Sequence, residues 1–317
     1  MKRCPMSWDD KKPKRTEKGA LGPARKGAAA VAFAICRLCQ QPRVLRDSHF
    51  IPAGFYYHLG LDETGTFQNQ ALQKLTRSRF ARVPGQIKKN LLCDECEQRL
   101  STNGESWVIR FAHQVGRRFR LQEALLRLEP RMRLATGRIY YAEDHPAIDW
   151  KKLAYFALSV FWRGAADSWA RSTEPGGKPF IELEATLQEH LRRFLLGEED
   201  YPEGILLMLR VSANLTPDAH MMSFPSIGTI EAPDRRRPQT SFIVPGMIFT
   251  MVPGPDLAEE WVRQGCLIRG TGHPVFVLNT DELFFRETIT LALTATPSQK
   301  IIDEAHALWR DALRGQS

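Results

Sequence analysis

The pattern of apolar and polar positions changes character near residue 140. Before it, short apolar runs alternate with cysteine-, proline- and glycine-bearing turns. VAFAI (31–35) leads into Cys36-Arg-Leu-Cys39, and Gln-Gln-Pro then turns the chain into a strand predicted over Val44–Phe50. Pro52 suits the first turn of a helix, predicted over Pro52–Leu61 with an aromatic face from AGFYYHL. Residues 62–90 are polar and basic and predict an insertion, partly helical or irregular. Asn90–Cys93 predicts a short strand, and the chain from Glu97 predicts a helix broken near Asn103–Gly104, then a second helix.

Beyond residue 140 the apolar runs lengthen. Leu153, Phe156, Ala157, Val160 and Phe161 recur at helical spacing within a buried helix predicted over Trp150–Ala170. An amphipathic helix follows over Phe180–Leu196. The β-rich runs are Ile205–Val211, Met221–Ile230, Ser241–Val252, Cys266–Ile268, Val275–Leu278 and Thr288–Ala295, and Pro297–Leu313 predicts a final helix. The expected fold class is therefore α+β, with a mainly antiparallel sheet in residues 141–317 and a separate module in 31–140 that carries the insertion at 62–90. Residues 1–30 are rich in Lys, Arg, Pro and Gly without an apolar period, and predict a disordered basic tail.

Hydrophobic residues at 43% and charged residues at 25% are ordinary for a globular protein, so composition excludes neither enzyme nor binding module. No apolar run approaches the roughly 18 residues of a membrane span, and the N-terminus lacks a signal-peptide layout, so a cytoplasmic protein without a membrane partner is expected. Charge is more informative. Residues 1–35 carry 9 Lys/Arg against 3 Asp/Glu, residues 36–140 carry 18 against 9, and residues 141–317 carry 17 against 24. A polyanion, nucleic acid and DNA first, would be drawn to the cysteine-bearing part, leaving the acidic part for a protein partner or self-association.

Two CxxC pairs, Cys36/Cys39 and Cys93/Cys96, supply four thiolates, the full tetrahedral set for a structural Zn²⁺. The 53 residues between Cys39 and Cys93 leave room for a hairpin and an insertion between two knuckles. A redox CxxC expects a βαβ context that the pattern lacks, and an iron–sulfur arrangement fits the spacing less well. Strand, knuckle, hairpin and a second CxxC opening a helix is the layout of a treble-clef zinc module of ββα-metal type.

The segment CRLC…RDSHFIP…LLCDECEQRLS resembles the zinc-containing HNH (His-Me finger) nucleases at Cys36, Cys39, His49, Pro52, Asn90, Cys93, Cys96 and Glu97. With SVFWR at Ser159–Arg163, it looks closer still to a group of bacterial proteins with an HNH-like N-terminal module. The resemblance covers about residues 33–115 and that short echo. It implies a metal-dependent endonuclease in which His49 is the general base that activates water. Glu97 would be the ligand for a catalytic Mg²⁺ or Mn²⁺, Asn90 would orient His49, and zinc would be structural. One departure stands out: Ser48 occupies the position where active relatives carry a second metal-binding Asp or His. Asp47 lies on the opposite face unless the strand bulges.

Without the flanking cysteines, His49 reads as a hydrogen-bonded structural residue; with them, it is a general base, an organiser of the zinc hairpin, or the remnant of a decayed site. The corresponding alternative function is a non-catalytic zinc module that binds nucleic acid or protein. Arg46, Lys74, Arg77, Arg79, Arg82, Lys88 and Lys89 are the candidate phosphate contacts. No P-loop, dinucleotide fingerprint or G-x-S-x-G elbow is present, so nucleotide hydrolysis and serine chemistry have no support.

Overall fold

The computed structural model describes residues 33–59, 71–76, 79–84, 86–113, 118–135, 137–141, 144–169, 179, 181–202, 204–213, 222–231, 236–254 and 275–279. The expected tail over 1–30, the strands at Cys266–Ile268 and Thr288–Ala295, and the helix at Pro297–Leu313 lie outside the described residues. No described helix is long and apolar enough to cross a membrane.

A three-stranded antiparallel sheet opens the fold. β1 (Phe33–Ile35) and β2 (Pro42–His49) form a hairpin around the first CxxC, and β5 (Lys88–Cys93) pairs with the other side of β2. Helix α1 (Ala53–Leu59) follows β2 after Pro52, and α2 (Asp94–Leu100) starts on the heels of β5. Asp94, Glu95 and Glu97 occupy the first turn of α2, where the helix dipole favours negative charge.

The break expected near Asn103–Gly104 is not a break. α2 runs on through a π turn at Ser101–Glu105 and a second at Val108–Ala112. The wider turn brings residues five apart together, and Ser101 Oγ lies 2.8 Å from Ser106 Oγ. Gly104 sits where a buried helix crosses: a Cβ there would lie 2.9 Å from the Phe156 backbone nitrogen. Glycine is thus selected by close approach, not by flexibility.

That crossing helix is α4 (Trp150–Ala166), capped by Asp149, whose side chain accepts the Lys152 N–H at 3.1 Å. It is preceded by α3 (Arg120–Leu126) and followed by α5 (Ala185–Leu196), which ends on Gly197 in the left-handed region. Every residue of α4 from Leu153 to Ala165 is buried. Burying a large apolar side chain contributes roughly 1.5–3 kcal/mol, so this helix is a principal source of stability.

The remaining strands form one nine-stranded sheet among the described residues, in the order β4-β3-β9-β10-β11-β8-β12-β7-β6. They are β3 (Ala71–Thr76), β4 (Arg79–Pro84), β6 (Met132–Leu134), β7 (Gly137–Tyr141), β8 (Ile205–Ser212), β9 (Ser223–Glu231), β10 (Arg236–Val244), β11 (Met247–Pro253) and β12 (Val275–Asn279). Pairing is antiparallel except between β3 and β9 and between β12 and β8. The single run expected over Ser241–Val252 is two strands, because Pro245 and Gly246 (φ 80°) make the turn between β10 and β11. β8 is buried on both faces, which explains its unbroken apolar run.

The insertion at 62–90, expected to be partly helical or irregular, instead supplies the hairpin β3–β4 to an end of this sheet. Leu72, Leu75, Phe80 and Val83 supply the strand-forming residues that its charged composition obscured. β6 and β7, from the same side of residue 140, pair at the other end. The described residues belong to one compact unit, and one hydrophobic core runs from Cys36 to Met251. Its aromatic centre joins Phe55 of α1, Phe156 of α4, and the stacked Phe242 and Phe249 of the sheet, 5.1 Å apart.

Candidate functional site

The two CxxC pairs converge. Cys36, Cys39, Cys93 and Cys96 place all four sulfurs within 4.8 Å of one another, so the cluster could bind a metal such as zinc. The Cys39 and Cys93 sulfurs are 3.9 Å apart, near the value of about 3.8 Å that thiolates about 2.3 Å from a tetrahedral zinc require. The first knuckle closes through the Gln40 N–H donating to Cys36 O at 2.8 Å and the Cys36 N–H to Gln41 O at 2.9 Å. This turn forces Gln40 to a φ of 57°, a conformation glycine adopts more easily. The second knuckle is the junction of β5 and α2, with the Cys93 N–H donating to Cys36 Sγ at 3.3 Å. The Cys36 thiol is pulled down to about 4, chiefly by the hydrogen bond from Cys96, and the Cys96 thiol is correspondingly pushed up. A cation at the centre would resolve that competition, because it would take the ligands as thiolates.

A cleft of about 320 Å³ lies beside this cluster. His49, at the end of β2, contributes one side, with Pro52, Ala53 and Gly54 leading into α1. Glu97, Ser101, Glu105 and Ile109, four residues apart along the continuous helix, line another, and Arg163 of α4 completes the lining. The backbone fixes His49 firmly. Phe50, directly after it, donates its N–H to Ile87 O at 3.0 Å and packs its ring against Trp169 and Phe224.

His49 Nε2 lies 2.7 Å from Gln86 Oε1. An amide oxygen only accepts, so this contact selects the neutral tautomer with its proton on Nε2 and leaves Nδ1 as the basic nitrogen. Burial, with help from the Lys88 charge, holds the imidazole below its ordinary value; the Gln86 contact, Asp47 and Glu97 oppose that shift. The balance favours the neutral imidazole. Glu97 is half-buried, and its Oε1 is buried without a hydrogen-bond partner.

Asn90, expected to orient the histidine, sits opposite Asp47 with an exposed side chain, and it is Gln86 whose side-chain oxygen meets the His49 ring. β5 runs antiparallel to β2 with His49 facing Lys88, which places position 86 beyond the strand end and next to the ring.

Ser48 has a different task from metal binding. The β2–β5 register slips between Leu45 and Asp47, leaving the Leu92 N–H outside the regular ladder. Ser48 Oγ accepts that N–H at 3.1 Å and points toward Arg46 O at 3.4 Å, and the residue is 1% exposed. Asp47 remains on the exposed side, 3.7 Å from Lys88 Nζ.

The candidate phosphate contacts divide. Arg46 grips Asp94, at the cleft, through Nε at 2.9 Å and Nη2 at 2.7 Å. Lys89 binds Asp167 at 2.5 Å and Ser168 O at 2.8 Å, and Asp167 also takes Arg37 at 3.1 Å. Lys74 lies in β3, and Arg79 and Arg82 in β4, with side chains outside the described residues; Arg77 lies outside them altogether.

Two residues at this site were not singled out for roles by the sequence. Glu105, 8% exposed, pairs with Arg163, 1% exposed, and Arg163 Nη1 donates to Phe50 O at 3.3 Å. Burial pushes the Glu105 carboxyl up, while the Arg163 charge opposes it. An arginine in the otherwise uncharged run Leu153–Ala165 was the available signal, since such a charge needs a buried partner. Comparison with known protein families, with characterised proteins and with solved structures finds no match to this chain.

Proposed function

We propose that the protein is a metal-dependent endonuclease of HNH type, hydrolysing phosphodiester bonds of nucleic acid, with DNA the first substrate to test. The observation that carries this reading is a shared cleft between His49, a neutral imidazole with a free basic nitrogen, and Glu97, a carboxylate with a buried, unpartnered oxygen. The strand–knuckle–hairpin–helix order around four cysteines supports a treble-clef module with zinc as a structural ion that leaves no open coordination position.

In this reading His49 Nδ1 accepts a proton from the attacking water while Gln86 holds the ring's orientation. The Glu97 Oε1 atom is a hard donor suited to Mg²⁺ or Mn²⁺, and Asp94 lines the same cleft. Such an ion supplies Lewis-acid stabilisation of the scissile phosphate and its leaving oxygen. Arg46, held by the cleft-lining Asp94, is the cation closest in role to a phosphate clamp once substrate competes for it. The acidic part of the chain is left for a protein partner or self-association.

A second reading, a non-catalytic zinc module that binds nucleic acid or protein, has its own support. Ser48, at the position where the resemblance expects a second metal ligand, is committed to the backbone.

Supercoiled-plasmid cleavage by zinc-loaded protein, with Mg²⁺ or Mn²⁺ added, separates the two. The nuclease reading expects cleavage by the wild type and a loss of about a hundredfold or more for His49→Ala and Glu97→Ala. Equal cleavage by all three assigns the activity elsewhere. No cleavage, together with a mobility shift of the same DNA, supports the binding module.

A further inference from the structure

The cleft holds a charge arrangement that neither zinc nor a general base requires. Arg163 is buried among an apolar helix's own neighbours, yet it faces two carboxylates, Glu97 and Glu105, and the charge of each is felt at its guanidinium. Only Glu105 is hydrogen-bonded to it. The Arg163 Nε is buried with no hydrogen-bond partner, and so is Glu97 Oε1. A donor and an acceptor of opposite charge thus line one cleft without meeting, while the guanidinium's other nitrogens are occupied by Glu105 and the Phe50 carbonyl.

We propose that Glu105 is a positioning residue that holds Arg163 and balances its charge, so that Glu97 remains an un-neutralised anion facing the cleft. This rests on the reading of Glu97 as a divalent-cation ligand and deepens it. The three side chains carry one net negative charge when Glu105 and Arg163 pair. Removing the Glu105 charge leaves Glu97 and Arg163 as a neutral couple, and the cleft loses its attraction for a cation. The same contacts join the two walls: Arg163 bonds the carbonyl of Phe50, next to His49, and a carboxylate two turns along the helix from Glu97. The titratable groups facing this triad are His49 from β2, Asp94 from α2 and, through Arg163, Tyr56 from α1 and Tyr155 from α4.

Mn²⁺ binding to the zinc-loaded full chain without DNA, followed by calorimetry or Mn²⁺ electron paramagnetic resonance, tests the idea alongside plasmid cleavage. Glu105→Gln preserves shape and one acceptor for Arg163 but removes the charge. It is expected to raise the Mn²⁺ dissociation constant by about tenfold or more, the effect of one unit charge at short range in a partly buried site. Glu97→Gln is expected to do the same, and the double variant to add little. Glu105→Asp, which restores the charge, is expected to recover binding to within about threefold if circular dichroism shows it folded. If wild type and Glu105→Gln bind Mn²⁺ equally while Glu97→Gln is impaired, the proposal is overturned and the nuclease reading survives. If the wild type neither binds Mn²⁺ nor cleaves, both fall together.

Discussion

The cysteine cluster and the cleft are neighbours built on the same strand and helix, yet they are specified in opposite ways. The cluster draws its four ligands from two local turns, each a CxxC, and its sulfurs point inward to one centre. The cleft draws on positions 49, 86, 97, 105 and 163, which meet only because β2, the helix from Asp94 to Ala112 and α4 pack together. The first arrangement tolerates changes elsewhere in the fold and fails if one ligand is lost. The second depends on the fold at every joint.

The largest expected effect is on the cluster. Cys96→Ser, or exhaustive chelation, is expected to cost much of the roughly 10–16 kcal/mol that such sites gain from zinc, leaving a chain without stoichiometric zinc by metal analysis and without cooperative melting. Retention of a sharp transition without the metal would show that the cluster does not hold the fold. Glu105→Ala comes next. It strands a buried arginine, and a loss of about 3–5 kcal/mol in denaturant unfolding is expected with zinc content unchanged. A loss under about 1 kcal/mol would mean that water or another group already serves Arg163.

Gly104→Ala probes the joint between the helix and α4. A methyl group 2.9 Å from a backbone nitrogen cannot be relieved by a rotamer change, so about 1–3 kcal/mol is expected from the unfolding midpoint. A neutral outcome would mean that the two helices separate freely, and the cleft geometry with them. The smallest effect concerns pH. His49 is held below its ordinary value in the folded protein, so the unfolded chain binds the proton first as pH falls. The stability this gives is complete above the unfolded value of about 6.5 and is lost as pH drops through the folded one. His49→Gln is expected to flatten that part of the stability–pH curve, and wild-type cleavage to fall off only below about pH 6.5. An unchanged curve would place the titrating group elsewhere.

The same contrast explains what the sequence revealed. The cysteine spacing named the four clustered residues, and turn residues with apolar periods located β2, α4 and β8 to within a few positions, because each signal is local. The hairpin β3–β4 was hidden by its Lys and Arg content, although pairing in a sheet depends on what each side chain packs against rather than on its average polarity. Glu105 and Arg163 are 58 residues apart and meet through tertiary packing alone. Gln86 rather than Asn90 meets the His49 ring, since a bulge in β5 shifts which residue reaches it, and register is not written in composition.

The route of the chain between Cys39 and Cys93 carries a consequence for assembly during synthesis. It leaves the cysteine hairpin, adds β3 and β4 to an end of the large sheet, and returns. β9, the strand that β3 must join, begins only at Ser223, whereas all four thiols have been translated by Cys96. On a growing chain, β2–β5 pairing and metal capture by the four cysteines would be the first long-range closures available, and they would tether both ends of the waiting hairpin. An ion held there would then serve as an early clasp that limits what an unpartnered strand edge can reach before its proper neighbour emerges.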